Sequence, residues 1–254
     1  MSEILHHLPL PPLAPDWVPV ADRELARLME MPLSALDEET RQSIGESEQW
    51  CQRELAPWHE RRLETISRVE EGRVVLGNNV TLKTSAGFSR KLLETRAHAI
   101  IIFAFTTGEA LDRRVKELWA QDRYQESYVL QAYGTGLVEA SRSRYGISLC
   151  SWADEQGLAI LSSDGPGYRD WPVEETGQLL RLLQSDSASP AEMMRANESG
   201  MLHPVHSSVI VYGVTAFAAE TLKMDDWVPC CECDLSPCRF RRRARTPSPE
   251  FIRL

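Results

Sequence analysis

Between residues 162 and 183 the sequence reads SSDGPGYRDWPVEETGQLLRLL, and this stretch restricts the fold more than any other. Asp164, Gly165, Pro166 and Gly167 are consecutive turn formers, followed directly by Tyr168, Trp171 and Pro172. Glycine tolerates positive φ and lets another backbone or a ligand approach closely, whereas proline fixes φ and removes a donor. A stiff loop carrying two large rings is therefore expected here. Glu174 and Glu175 stand where the first turn of a helix favours negative charge, and Leu179, Leu180, Leu182 and Leu183 give that helix an apolar face. From the residues alone, the loop either packs its aromatics as a structural turn or presents them to a ligand.

Around it the chain alternates helical and extended patterns. Residues 1–21 form a proline-rich arm, and 22–60 a small helical region with Asp22 as one N-cap and Ser34 or Asp37 as the next. Residues 66–69, 73–76 and 80–82 are short β-branched runs separated by Gly and Asn, the pattern of hairpin strands. Residues 97–105, AHAIIIFAF, fit a strand buried on both faces. It runs into Thr106-Thr107-Gly108 and a helix-compatible segment. A further helix is expected over 125–143, where Gly134 and Gly136 each cost about 1 kcal/mol relative to alanine. Close packing of another element or of a ligand is a natural reason to keep them. Glu139 follows on that helix and reads equally as an exposed surface carboxylate. Residues 158–161 are strand-like, residues 202–212 read as a loop entering a strand, and alternation there puts Ile210 and Tyr212 on one face.

The 254 residues carry a formal charge of −9, which argues against wholesale nucleic-acid binding because phosphate contacts need basic surface. With no apolar run long enough to span a bilayer and no signal-peptide pattern, a cytoplasmic protein that does not engage membranes is expected. Four of the six cysteines, Cys230, Cys231, Cys233 and Cys238, crowd together ahead of Arg239, Arg241, Arg242, Arg243 and Arg245. Such clustering in a reducing compartment suits zinc or an iron–sulfur cluster. Reduced thiols or a local disulfide are the alternatives. Residues 227–254 therefore read as a separate Cys/Arg-rich tail.

The pattern PGY-x-x-WP-x-E-E, between an apolar run and a helix, resembles the substrate loop of the S-adenosylmethionine-binding activation (reactivation) domain of cobalamin-dependent methionine synthase. Residues 128–140, YVLQAYGTGLVEA, are similar to that family's helix A-x-G-x-x-x-V/A-E-A. The strand–Thr-Thr-Gly–helix junction and the segment from Leu202 to Ser207 are similar to further family elements. Together the likeness covers residues 22–212, and CECDLSPCRFR looks like the tail of some free-standing relatives.

The resemblance implies an α+β core over 61–226: a twisted, mainly antiparallel sheet with surrounding helices. It also implies an S-adenosylmethionine site with Glu139 holding the cationic ligand and Pro166, Gly167, Tyr168, Ser207 and Tyr212 around it. A sulfonium against the Tyr168 ring would gain cation–π attraction. The implied activity is reductive methylation of cobalamin. The corrinoid signature D-x-H-x-x-G is absent, so cobalamin would arrive on a partner methyltransferase or corrinoid protein. The electron would come from a flavoprotein or from a cluster at the tail. In the family an arginine shortly before PGY binds the ligand carboxylate; here Ser163 stands at that position. The alternatives are a metal- or cluster-binding electron-transfer or scaffold protein on the same fold, and a distinct S-adenosylmethionine-utilising enzyme.

Overall fold

The structure is a computed structural model that describes residues 9–11, 19–184 and 193–216. Helices α1 (Asp22–Leu28) and α2 (Glu38–Glu54) come first, then strands β1 (Trp58–Glu70), β2 (Arg73–Leu76) and β3 (Thr81–Lys83). Helix α3 (Ala86–Glu94) leads into β4 (Ala99–Thr106), and α4 (Glu109–Ala120) and α5 (Tyr124–Glu155) follow. Strand β5 (Ala159–Ile160) precedes the aromatic loop and α6 (Thr176–Gln184) follows it. Strands β6 (Arg195–Ala196), β7 (Leu202–His203) and β8 (Ser207–Thr215) end the described chain.

Six strands form one sheet in the order β3-β2-β1-β4-β8-β5, with every paired neighbour antiparallel. The fold is α+β, as expected. All eight residues of β4 are buried, because helices cover both faces of the sheet. Ile100, Ile102 and Ala104 point with Val209 and Val211 towards Phe88 and Leu92 of α3 and the leucines of α6. Ile101, Phe103 and Phe105 point with Ile210 and Tyr212 towards Tyr145, Leu149 and Trp152 of α5. Each such isoleucine contributes roughly 1.5–3 kcal/mol by leaving water. A third apolar cluster joins α1, α2, α4 and the first half of α5.

Strand β1 is far longer than the hairpin strand expected at 66–69. Residues 58–65, WHERRLET, carry too many charges to read as a strand, yet they pair residue for residue with β4, from Trp58↔Thr106 to Thr65↔Ala99. Long charged side chains can lay apolar stems along a sheet while pairing their heads. Arg62 does so, forming an ion pair with Glu64 and donating from Nη1 to the Leu182 carbonyl at 3.0 Å. The helical region thus ends at Glu54, ahead of the expected join at residue 60.

Helix α5 likewise continues past residue 143 to Glu155. At the start of α1 the N-cap is Ala21, with Asp22 in the first turn, whereas Asp37 caps α2 by accepting from the Thr40 amide at 2.9 Å. The two mid-helix glycines do serve close packing. A Cβ on Gly134 would lie 2.7 Å from Leu111 Cδ1 and 2.8 Å from His206 Cδ2, and one on Gly136 would lie 2.5 Å from Val20 Cγ1. Among the described residues no helix is long and apolar enough to cross a membrane.

Candidate functional site

The aromatic loop is built in two halves. Residues 161–164 extend β5 along β8: the Leu161 amide donates to the Gly213 carbonyl at 2.9 Å, and Asp164 and Val211 exchange backbone bonds of 3.0 and 2.8 Å. Gly165 then lies so close to β8 that a Cβ would stand 2.9 Å from the Val209 carbonyl oxygen. At Gly167, φ is +85°, and the chain folds back with Gly167 N–H donating to the Trp171 carbonyl and Trp171 N–H to that of Tyr168. The two glycines thus have different duties, close approach at Gly165 and left-handed backbone at Gly167.

A clamp to α3 holds this loop. Ser85, the N-cap of α3, donates to Asp164 Oδ2 at 2.8 Å, and Asp170 Oδ2 accepts from the Ala86 amide at 2.9 Å. Lys91 bonds Ser162, and the Trp171 ring, 2% exposed, packs 5.1 Å from that of Phe88. Burial pushes the Asp164 carboxyl above the usual carboxylate range, against the opposing pull of Arg169, Ser85, the Gly165 amide and Lys91. Arg169 faces this clamp, since its Nη1 would lie 2.5 Å from a Cβ on Gly87. Glu174 and Glu175 fall in a 3-10 turn ahead of α6, and Glu175 accepts from the Lys83 amide at 3.3 Å. Of the two rings in the loop, Trp171 is therefore core and Tyr168 is left half-buried.

Tyr168 reaches across to α5. Its hydroxyl accepts from Arg142 Nη1 at 2.6 Å, and the same nitrogen lies 3.2 Å from Glu139 Oε1. The Arg142 guanidinium carbon also sits 5.7 Å from the Tyr168 ring centroid. Tyr212, 3% exposed, donates from its hydroxyl to the Arg142 carbonyl at 3.2 Å. Glu139, Tyr168 and Tyr212 therefore meet at one place, and Arg142 joins them. Burial works to lower the guanidinium's pKa, but Tyr168, Glu139 and Tyr212 outweigh it and raise the value, so the group stays cationic. Burial also pushes the Tyr212 hydroxyl up.

Pro166 and Gly167 flank Tyr168 in the loop. Ser207 stands apart: its hydroxyl bonds Thr106 Oγ1 and the Pro204 carbonyl, both at 2.7 Å, at the far end of β8. Tyr212 lies five positions further along the strand, an odd offset, so the two side chains point to opposite faces of the sheet. An internal cation, Arg142, lies near the Tyr168 ring.

Sequence reasoning passed over Arg142, although its spacing of three from Glu139 is the signal of a helix-face ion pair. It also missed Asp112, whose Oδ1 lies 2.8 Å from His206 Nδ1 and whose Oδ2 accepts from the Val205 amide at 2.7 Å. Cys230, Cys231, Cys233 and Cys238 lie outside the described residues. Burial pushes the thiols of Cys51 and Cys150 up to about 12. Among the described residues no three His, Cys, Asp or Glu side chains are grouped to hold a metal ion.

Compared with solved structures, the chain is similar to the MetH reactivation domain bound to AdoHcy, with a TM-score of 0.52 over 78% of this chain and 70% of that one. It shares that domain's fold. The two sequences are 15% identical over the match, so the likeness lies in architecture rather than in side chains. No family model and no curated protein matches the chain.

Proposed function

We propose that this protein binds S-adenosylmethionine between the middle of α5, strand β8 and the aromatic loop, and so supports reductive methylation of a cobalamin carried by a partner methyltransferase. The observation that supports this most is the fold shared with a domain solved with AdoHcy bound. The meeting of Glu139, Tyr168 and Tyr212 adds to it, because the sequence resemblance assigns ligand contacts to these residues.

The side chains suit the amino-acid end of such a ligand. Glu139, 16% exposed, offers a carboxylate to an ammonium in a setting where water screens it little. Tyr168 and the backbone at Pro166 and Gly167 bound the same space, and the clamp on α3 fixes them before the ligand arrives. Bound there, S-adenosylmethionine supplies a sulfonium methyl group that, with one electron from an external donor, converts cob(II)alamin on the partner to methylcobalamin and leaves S-adenosylhomocysteine. This chain's share is placement and exclusion of water.

Isothermal titration of the full chain with S-adenosylmethionine and S-adenosylhomocysteine tests the binding. Both are expected to bind, with affinity reduced about tenfold or more in Glu139→Ala, a loss on the scale of one charge-assisted contact. Absence of binding to the wild type would overturn the reading, and unchanged affinity in both Glu139→Ala and Tyr168→Phe would remove the site. The methylation is followed by label transfer from methyl-labelled S-adenosylmethionine to a cob(II)alamin-loaded corrinoid protein under a low-potential reductant.

A further inference from the structure

Towards its end, α5 turns one stripe away from the sheet. Arg144, Ile147, Ser148, Ser151, Trp152 and Glu155 recur at the three- and four-residue spacing of a single helix face, and a groove of about 700 Å³ runs along them. Its opposite wall is the chain's own segment Pro9-Leu10-Pro11. The Trp152 indole donates from Nε1 to the Pro9 carbonyl at 2.9 Å, Leu10 packs half-buried against the apolar cluster under α5, and Pro11 is buried. Both serines of the stripe are turned onto their own helix: Ser148 Oγ donates to the Tyr145 carbonyl at 3.0 Å and Ser151 Oγ to the Ile147 carbonyl at 3.3 Å. The floor therefore presents carbon rather than hydroxyl, and the indole N–H is the donor that reaches the arm. Ile147 is still 51% exposed, so the three residues leave part of the groove open.

We infer that this stripe is a receptor for an extended proline-rich segment, and that the chain's own arm is its built-in, displaceable ligand. A polyproline II segment makes no internal hydrogen bonds, so its carbonyls are left to outside donors, and an aromatic-lined groove reads it at little entropic cost. Leu-Pro-Leu-Pro-Pro at 8–12 has that composition. A helical ligand would have its carbonyls engaged within itself and could offer none to Trp152. Nearer the middle of α5, Val20 packs on Gly136, so the described parts of the arm touch the same helix at two places. What holds 9–11 is one hydrogen bond, a half-buried leucine and a buried proline, and a partner's segment of the same pattern can replace them. Arg144 and Glu155 stand at the two ends of the stripe with opposite charges, so selection rests on apolar shape and on the free carbonyl. In cis the arm masks this surface, and the partner that fits it carries a neutral Leu-Pro-x-Pro segment.

The test titrates a fluorescein-labelled peptide of residues 5–15, LHHLPLPPLAP, into the full chain and reads anisotropy. Leu10→Asp in the full chain puts a charge against the apolar cluster and unseats the arm, leaving the groove free. That variant is expected to bind the peptide at least about tenfold more tightly than wild type, since apparent Kd rises as the free fraction of the groove falls. Adding Trp152→Phe, which keeps a ring and removes the indole donor, should weaken binding about fivefold, the loss of one hydrogen bond. A peptide with alanine at positions 9 and 11 should bind about tenfold more weakly than the parent. No binding to Leu10→Asp, equal affinity in wild type and Leu10→Asp, or equal binding of the alanine peptide would each overturn the proposal, and the first two need no change at Trp152. Sedimentation of wild type should show no dimer that Leu10→Asp dissolves; such a dimer would place the arm on a second copy and overturn the cis assignment.

Discussion

Asp112 holds the start of β8 to α4 through two contacts at once, one to the His206 ring and one to the Val205 amide. Burial raises its carboxyl pKa, but the bonds from His206 and Val205, with help from Lys116, outweigh this and hold it below the usual range. A carboxyl with a depressed folded-state pKa contributes stability that is fully present above its unfolded value, about 3.9, and lost as pH falls through the folded one. Asp112→Asn is therefore expected to cost about 1–3 kcal/mol at neutral pH and to flatten the acid limb of the stability curve. Urea unfolding across a pH series measures this, and a variant whose loss persists undiminished at the lowest pH would contradict it. Glu139 and Arg142 act at the same scale, each aligned by the other before any ligand is present.

Among the elements, the aromatic loop depends on α3 more than on its own turns. Ser85, Ala86, Phe88 and Lys91 all grip it, and Trp171 fills the space between α3 and the sheet. Trp171→Ala should cost about 3–5 kcal/mol, the usual loss on emptying a large buried ring site. It should also weaken adenosyl-ligand binding, since Tyr168 is carried on the same loop. Denaturant unfolding and titration of the one variant check both, and full stability with normal affinity would show the clamp to be dispensable. Helix α5 is the other shared element. Its first half packs on α1, α2 and α4, its second half on the sheet, and Glu139 and Arg142 fall where the two halves join.

Across the whole molecule, the proposed ligand would tie α5, β8 and the loop together. Binding to the folded form alone stabilises by mass action, about 2.7 kcal/mol at a ligand concentration of about a hundred times Kd. In a chain of this size that raises Tm by roughly 5–10 °C, and a thermal scan with S-adenosylhomocysteine reads it directly. An unchanged Tm at saturating ligand would count against the site.

Much of this architecture was legible beforehand. The unbroken apolar run of β4 announced a strand covered on both faces, Ser34 or Asp37 announced a helix start that Asp37 makes, and DGPGY announced a stiff turn, because each rests on local chemistry. Strand β1 was hidden, since its charges disguise a segment whose pairing comes from the backbone of β4. The extent of α5 was hidden as well, because its apolar side changes partner midway. For the site, the resemblance gathered Glu139, Tyr168, Tyr212 and Ser207 around one ligand, whereas the residues taken alone could not say that the first three meet, nor that Ser207 stands elsewhere. Local residues determine which segments turn, extend or coil. Only tertiary packing, which brings α5 against the loop at Arg142, decides which charges face each other.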